Sequence, residues 1–363
     1  MNFPQQFSRL ASGAAIRTAT LALFLVVLGA SATLAQTTAY VTNALDNTVS
    51  VIDTNTNTVT ATIPVGSFPV GIAITPNGAR AYVANSASPN VSIIDTATNT
   101  VVATVAIGQG QAGIAVTPNG DFAYVSHSNI TGNVSVIDTK KNTVVTTIPV
   151  GLFPFGIAFT PNGSRAYVVD QNSNNVWVIN TATNTVIATV PVGANPKLVA
   201  VTPDGAFAYV TNGNDVSVID TVTNTVSATA SVGLGPFGIA ITPNGASAYV
   251  ANFDHTVAVL ATASNTVVTT VPVGLNPFGV AVTPNGASVY VTNFNGHSVS
   301  VISTATNTVT ATVPVGNGPF SIAVTPQVPT DMDQCKNDGW KTFTNPAFQN
   351  QGDCVSFVNH MDH

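Results

Sequence analysis

The chain of 363 residues is poor in charge, with 9 lysines and arginines, 15 aspartates, no glutamate and a net charge of −6. Charged residues make up 7% of it, against about 25% in a typical soluble domain. The cations are too few and too scattered to neutralise a run of phosphates, which excludes nucleic-acid binding from the expected functions. Threonine, asparagine and serine must provide the polar surface instead.

Residues 1–35 are predicted to be a secretory signal peptide. Two arginines precede an apolar run over residues 21–28, and small residues follow, with cleavage expected after Ala32 or Ala35. A retained membrane anchor is the alternative, but the apolar run is shorter than the roughly 20 residues that a spanning helix needs. We therefore expect a secreted, periplasmic or cell-surface protein without a transmembrane domain in the mature chain.

A tandem repeat begins near residue 39 and accounts for most of the chain. All seven tyrosines fall at one position of the repeat, at intervals of 40 to 43 residues. A period near 40 with four strand-like segments per unit is typical of β-propellers. The tyrosines are Tyr40, Tyr82, Tyr124, Tyr167, Tyr209, Tyr249 and Tyr290.

Each repeat predicts four short strands, which in the first copy are AYV, TVSVID, TVTATIPVG and GIAITP. The turn at 75–78 has the sequence TPNG, in which proline presets the first turn position and Gly78 accepts a positive φ. A second turn carries Asn57, whose short amide side chain tolerates the left-handed region. Both turns recur along the chain, so we expect antiparallel four-stranded blades.

The order of the strand types predicts how the ring of blades is closed. The first repeat starts at its second strand, and the strand over residues 321–326 comes alone at the end. It would supply the missing innermost strand of the first blade and leave no open edge there. The sequence therefore predicts an all-β fold, a seven-bladed β-propeller of four-stranded antiparallel blades over residues 37–326.

The repeats resemble those of the YVTN-repeat, YncE-like β-propeller family across residues 39–326. The motif YVTN stands at 40–43, 209–212 and 290–293, and variants of it occur in the other copies. Members of that family resemble surface-layer and exported bacterial or archaeal proteins. The resemblance implies a binding or structural role and names no ligand.

Residues 331–363 depart from the repeat and are predicted to form a small C-terminal tail module. Cys335 and Cys354 are the only cysteines of the chain. In an exported protein their simplest interpretation is one disulfide, although a metal-binding or redox pair is a second interpretation. The cysteine, glycine and tryptophan pattern looks like a tail found on assorted exported bacterial proteins, a likeness that implies no function.

The two rims of the propeller differ in sequence. The constant rim holds the TPNG turns and the asparagine turns, such as 75–78 and 54–57. The variable rim holds the loops after the tyrosine strands and after the PVG motifs, such as 44–47 and 65–68. Because variable loops on a rigid scaffold usually carry specificity, we place a binding site on the variable rim, although unselected drift could also produce such loops.

Candidate ligand-binding residues enter the inner strands from the variable rim. Four phenylalanines and one lysine there would ring the mouth of the central channel and could orient an acidic or carbonyl-bearing ligand beside apolar contacts. The other interpretation is that the phenylalanines plug the channel. These five residues are Phe155, Phe237, Phe278, Phe320 and Lys197.

His127 and Asp170 are two further candidates, because they replace the asparagine found three residues after the tyrosine in the other copies. An amide at that place usually satisfies backbone groups, so these two are weaker candidates. Other acids and imidazoles of the variable rim show no catalytic spacing.

We expect an exported, non-catalytic propeller that acts as a binding or structural scaffold at the cell envelope or outside the cell. Its partner would be a protein, a glycan or a small molecule on the variable rim, with no cofactor and no metal. The alternative function is a lactonase-like hydrolase on the same fold. A cleft that brings His127 close to Asp170 would favour the hydrolase, whereas an apolar mouth would favour the binder.

Overall fold

A computed structural model describes residues 37–329, 332–336 and 351–361. The signal peptide predicted at 1–35 and most of the tail predicted at 331–363 lie outside these residues. The described part is built from seven four-stranded antiparallel sheets, which confirms the predicted seven-bladed β-propeller. None of its helices has the length and hydropathy needed to cross a membrane.

The strands follow one another in chain order as β1 to β28. Strands β1 to β7 are Thr38–Asn43, Thr48–Asp53, Thr58–Pro64, Pro69–Ile74, Arg80–Asn85, Asn90–Asp95 and Thr100–Ala106. Strands β8 to β14 are Gln111–Val116, Phe122–His127, Asn133–Asp138, Thr143–Pro149, Pro154–Phe159, Arg165–Asp170 and Asn175–Asn180. Strands β15 to β21 are Thr185–Pro191, Val199–Val201, Phe207–Thr211, Asp215–Asp220, Thr225–Ser231, Pro236–Ile241 and Ser247–Asn252. Strands β22 to β28 are Thr256–Ala261, Thr266–Pro272, Pro277–Val282, Ser288–Asn293, Ser298–Ser303, Thr308–Pro314 and Pro319–Val324.

Blade 1 joins the two ends of the ring, as the strand count predicts. Its order is β28-β1-β2-β3, whereas blades 2 to 7 take four consecutive strands each, from β4–β7 to β24–β27. Strand β28 pairs antiparallel with β1, with Ala39 opposite Val324. The backbone N–H of Thr38 donates to Oγ1 of Thr325 at 2.8 Å, and the N–H of Thr325 donates to the carbonyl of Thr38 at 2.8 Å.

Neighbouring blades pack face to face through the alternating side chains of their strands. On β2, Val49 and Val51 face blade 2 and pack with Ile72 and Val83, whereas Ile52 faces blade 7. Both faces of a blade are therefore buried, which explains why the middle strands are almost continuously apolar. The same arrangement repeats between the other blades and divides the core into one cluster per interface.

A hydrogen bond from each tyrosine connects successive blades at the constant rim. Every tyrosine is at most 1% exposed, and its hydroxyl donates to the side-chain oxygen of an asparagine in the outer turn of the next blade. These asparagines have φ between 52° and 55°, as the turn prediction requires. The pairs are Tyr40 with Asn99, Tyr82 with Asn142, Tyr124 with Asn184, Tyr167 with Asn224, Tyr209 with Asn265, Tyr249 with Asn307 and Tyr290 with Asn57.

The TPNG turns have the predicted conformation. Oγ1 of Thr75 donates to Oδ1 of Asn77 at 2.7 Å, and the N–H of Gly78 donates to the carbonyl of Thr75 at 2.8 Å. Gly78 has a φ of 73°, which a residue with a Cβ adopts only under strain. The fourth copy replaces the asparagine with Asp204, and this carboxyl accepts from Oγ1 of Thr202 in the same way.

The described part of the tail contains the predicted disulfide. A 3-10 turn at Met332–Cys335 and the helix α1 at Gln351–Met361 carry the two cysteines. Cys335 and Cys354 are bonded, with their Cα atoms 5.6 Å apart, and both are fully buried beside Val358.

We expect that removing residues 319–363 prevents closure of the ring. The truncation deletes β28 and leaves the inner edge of β1 unpaired, and an open edge of this kind promotes association between chains. Gel filtration should show aggregates and melting should occur at a lower temperature. A matched truncation after residue 329 keeps β28 and should remain a folded monomeric propeller, and equal behaviour of the two truncations would contradict strand-based closure.

Alkaline pH should destabilise the propeller through its tyrosines. Burial raises the pKa of Tyr40, Tyr82, Tyr124 and Tyr290 to about 12, from 10 in the unfolded chain. Between these values the unfolded chain loses protons that the folded protein keeps, so the free energy of unfolding should fall as the pH rises from 10 towards 12. Denaturant unfolding at several pH values measures the free energy of unfolding. A value that stays constant above pH 10 would show that burial does not raise the pKa of these tyrosines.

Candidate functional site

The loops of the variable rim hold one another in place. The side chain of Asn47, in the loop after β1, accepts a hydrogen bond from the N–H of Phe68 at 2.9 Å. Asn174 accepts from the N–H of Asn195 at 2.8 Å in the same arrangement. Both accepting residues have a φ near 55°, and their partners lie 21 residues later, in the loop that leads to the next blade. Each pair of loops is therefore a fixed unit of the rim.

His255 and His297 take the place of these asparagines. Nδ1 of His255 accepts from the N–H of Asn276 at 3.0 Å, and Nδ1 of His297 accepts from the N–H of Gly318 at 3.3 Å. Both histidines also have a positive φ. Histidine, like asparagine, adopts this backbone conformation more readily than most residues, which explains why it can replace asparagine here. Their rings are exposed, and the role that the structure gives them is to hold the loops.

The four predicted phenylalanines meet at the axis of the ring. Their rings contact one another edge to face or at a tilt, with centroids 4.6 to 5.7 Å apart. All four side chains are half-buried, and the cavity that they line together with the first residues of the inner strands has a volume of about 80 Å³. The mouth of the channel is thus an aromatic surface with little space beneath it. The four are Phe155, Phe237, Phe278 and Phe320.

Two phenylalanines that the sequence analysis did not select extend this aromatic cluster outward. Phe253 lies 6.1 Å and Phe294 lies 5.2 Å from Phe278, measured between ring centroids. Phe253 is 51% exposed. Both follow directly after the asparagine that ends a tyrosine strand, which is the signal that could have identified them. With exposed Leu234 and Leu275 in neighbouring loops, they make one side of the mouth apolar.

Lys197 is the cation of the mouth and is half-buried. Its Nζ donates to Oδ1 of Asn195 at 2.7 Å, and burial lowers the pKa of its ammonium group. The next residue, Leu198, stands where most inner strands have glycine, and strand β16 starts only at Val199. In the neighbouring blade, a Cβ on the corresponding Gly156 would lie 2.8 Å from Cα of Leu198, so the inner strands are very close here.

His127 and Asp170 lie in buried hydrogen bonds inside their blades. Nε2 of His127 is 2.9 Å from Oγ of Ser135, and burial lowers the pKa of the imidazole. Oδ2 of Asp170 accepts from Nε1 of Trp177 at 3.1 Å. Asp170 is fully buried and His127 is 3% exposed. Neither side chain opens onto the mouth of the channel.

The asparagines at the corresponding positions explain these two replacements. Nδ2 of Asn43 donates to Oγ of Ser50 at 2.8 Å, across the same pair of strands. Asn85, Asn212 and Asn293 bond to a serine in the same way. Trp177 occupies the position of that serine. The carboxylate of Asp170 accepts a hydrogen bond where asparagine donates one, and the indole of Trp177 donates a hydrogen bond where serine accepts one. His127 and Asp170 therefore keep the side-chain hydrogen bond to the next strand that asparagine makes in other blades, with a different pair of chemical groups.

The amide oxygens of these asparagines have an unusual environment. In Asn43, Asn85, Asn212, Asn252 and Asn293, Oδ1 is buried and has no hydrogen-bond partner among the residues that the structure describes. The same side chains pack against the glycine of the preceding PVG loop or its equivalent; a Cβ there would meet the amide at 2.5 to 2.7 Å. The close packing of amide and glycine therefore fixes the distance between neighbouring blades at this rim.

The larger grooves lie on the constant rim and follow from the repeat. One of about 560 Å³ runs between blades 6 and 7 and is lined by Pro243, Tyr249, Asn285 and Gln327. Equivalent grooves between other blades are lined by the matching turn residues. Repetition makes these grooves nearly alike, so we place the candidate site at the asymmetric aromatic mouth. In the described residues no three histidine, cysteine or acidic side chains come together as a metal site would require.

Trp177→Phe should destabilise the protein because it leaves the buried carboxyl of Asp170 without its indole donor. The loss should be about 1–3 kcal/mol, the usual cost of an unpaired buried polar group. His127→Asn is the matched control, because asparagine pairs with serine at this position in other blades, and it should destabilise the protein less than Trp177→Phe does. Denaturant unfolding measures both. A neutral Trp177→Phe or a strongly destabilised His127→Asn would contradict these roles.

Comparisons with known proteins support the fold. The model of one family, the Choice-of-anchor I domain, matches residues 30–195. A hydrazine synthase structure from Kuenenia stuttgartiensis is similar with a TM-score of 0.68 and 25% identity, over 73% of this chain and 92% of that one. A protein of unknown function from Desulfotomaculum acetoxidans DSM 771 is similar with a TM-score of 0.72 and 22% identity, over 79% of this chain and 98% of that one. The comparison with curated proteins found no match. The YVTN-repeat resemblance remains a prediction, whereas the propeller that it implied is the fold observed.

Proposed function

We propose that the chain is an exported, non-catalytic β-propeller that binds a partner through the aromatic mouth of its variable rim. The seven blades form the scaffold, and the residues that differ between blades provide the specificity. The chain would act at the cell envelope or outside the cell. The tail over residues 331–363 would be a separate small module after the propeller.

The observation that carries this proposal is the combination of an apolar surface with a single cation. Within residues 37–329, Lys197 lies at the variable rim and the other lysines and arginines lie at the constant rim. Burial disfavours the charged form of Lys197, so a carboxylate bound beside it would favour that form again. A ligand with an apolar body and one carboxylate or carbonyl group fits this chemistry.

Two further observations support the proposal that the protein is located outside the cytoplasm. The disulfide between Cys335 and Cys354 is of a kind that persists in oxidising compartments and is rare in the cytosol. The name of the matched family, Choice-of-anchor I domain, points to attachment at a surface. Both agree with the signal peptide proposed from residues 1–35.

The lactonase-like hydrolase receives less support from the geometry. That function needs an acid and a base that converge on a substrate. His127 bonds to Ser135 and Asp170 bonds to Trp177, and both pairs are internal to their blades. Asp254 accepts from Oγ1 of Thr256 at 2.5 Å within its own loop. These side chains support the loops and strands that carry the mouth.

A ligand screen with paired variants tests the proposal. We would measure thermal shifts with aromatic carboxylic acids, short peptides, sugars and lactones, and then determine affinities for the compounds that bind. Lys197→Gln should weaken binding of an acidic compound roughly 10- to 100-fold, because a hydrogen bond to a charged group contributes about 1.5–3 kcal/mol. Phe253→Ala should weaken binding by removing apolar contact, with little effect on stability because the ring is half exposed.

Matched controls on the constant rim make the test specific. Lys140→Gln removes a cation that is 81% exposed, and Val222→Ala removes an apolar side chain that is also 81% exposed. Neither should change the affinity. Binding that is lost in these two variants and kept in Lys197→Gln and Phe253→Ala would show that the site lies on the constant rim and that the proposal is wrong.

A further inference from the structure

The outermost strand of every blade is a free sheet edge. Among the strands of the described residues, each of the seven outer strands pairs on one side only, namely β3, β7, β11, β15, β19, β23 and β27. Such an edge presents backbone N–H and C=O groups that can pair with another strand, and proteins commonly protect it with charges, prolines or bulges. These seven strands contain no charged residue, so their protection depends on the other two devices.

Proline protects five of the seven edges. Pro64, Pro149, Pro191, Pro272 and Pro314 end their strands, and proline in an edge strand lacks the N–H that would face away from the sheet. Strand β7 ends in Ala106 and strand β19 in Ser231. These two edges keep the outward donor at that end.

A bulge occurs at the same place in all seven outer strands, so the bulge itself does not distinguish them. The two edges that lack proline differ in the extra residue of the bulge. In β19 the extra residue is Ser227, whereas in β7 it is Val102, which is 52% exposed. Its neighbour Val101 is 37% exposed. Strand β7 therefore ends without a proline and has an apolar residue in its bulge, a combination that the other six outer strands do not share.

We propose that β7 is a self-association edge, at which a second copy of this chain adds its own β7 in antiparallel orientation. Two identical strands that pair antiparallel are related by a twofold axis, so one edge supplies both halves of the interface. Thr100–Ala106 carries no charge, and pairing therefore brings no like charges together in a chain with a net charge of −6. At the start of the strand, Thr100 lies opposite Asp95, whose carboxylate already pairs with Arg80 at 2.6 Å.

The expected dimer is weak. Each copy contributes seven residues in the paired strand, against about 20–30 residues per side in a standard interface. The exposed Val102 side chain of each copy adds apolar area to the backbone hydrogen bonds. The association should therefore depend on concentration and be favoured where the protein is crowded on a surface.

Analytical ultracentrifugation of the full chain tests the inference. The mass-average molar mass of the wild type should rise from monomer towards dimer as the protein concentration increases. Val102→Lys places a charge at the edge and Ala106→Pro removes the outward N–H, so each should keep the protein monomeric. Both positions are exposed, and unchanged melting temperatures would show that the variants fold.

Two sets of variants serve as controls. Thr60→Lys and Thr310→Lys change the bulge residue in edges that proline already protects, and they should dimerise like the wild type. Pro149→Ala opens β11, whose bulge residue Val145 is apolar, and should produce species larger than a dimer.

Amide hydrogen exchange provides a second readout at the strand itself. Exchange in Thr100–Ala106 should slow at high concentration, while exchange in the equivalent Thr225–Ser231 stays constant. A wild type that remains monomeric at every concentration overturns the proposal. So does a dimer that forms equally well in Val102→Lys and Ala106→Pro, because another surface would then be responsible.

Discussion

The structure depends on one hydrogen bond that is repeated around the ring, from a buried tyrosine hydroxyl to an asparagine in the next blade. The acceptor asparagine has a left-handed backbone, which fixes its turn, and the donor comes from the central strand of its neighbour. Because the last tyrosine, Tyr290, reaches Asn57 in the first blade, the series has no end. Neighbouring blades are therefore aligned at the constant rim, and this alignment leaves the opposite rim free to vary in length and sequence.

The variable rim combines residues that hold its loops with residues that we propose contact a partner. Histidines that hold loops and a carboxyl that pairs with an indole support the rim, although their residue types resemble catalytic groups. The residues proposed to contact a partner are aromatic and aliphatic side chains and one half-buried lysine. Support and contact are therefore provided by different positions of the same repeat, so a change at a contacting position need not disturb the fold.

The sequence predicted the fold well because its information is local and repeated. Gly78 and Asn57 indicate turns by their own backbone preferences, and the isolated last strand indicates closure by count alone. The candidate site was harder to predict because its contacts cross between strands. Asp170 gains its role from Trp177, seven residues away on the next strand, and Phe253 and Phe294 join the mouth through Phe278 of a different strand. Such contacts depend on strand register and loop conformation, which residue types alone do not specify.

The pairing of β28 with β1 has a consequence for the way in which the chain acquires its structure. Thr38 and Thr325 are hydrogen-bonded although 287 positions separate them, so this contact can form only after the chain has left the ribosome as far as Thr325. Contacts of such sequence separation slow folding, because the loop between them must first be closed. Until then the first blade has three strands and an unpaired inner edge. The interval before closure is thus the period in which a nascent copy is most exposed to pairing with other chains, and its length is set by the last strand to arrive.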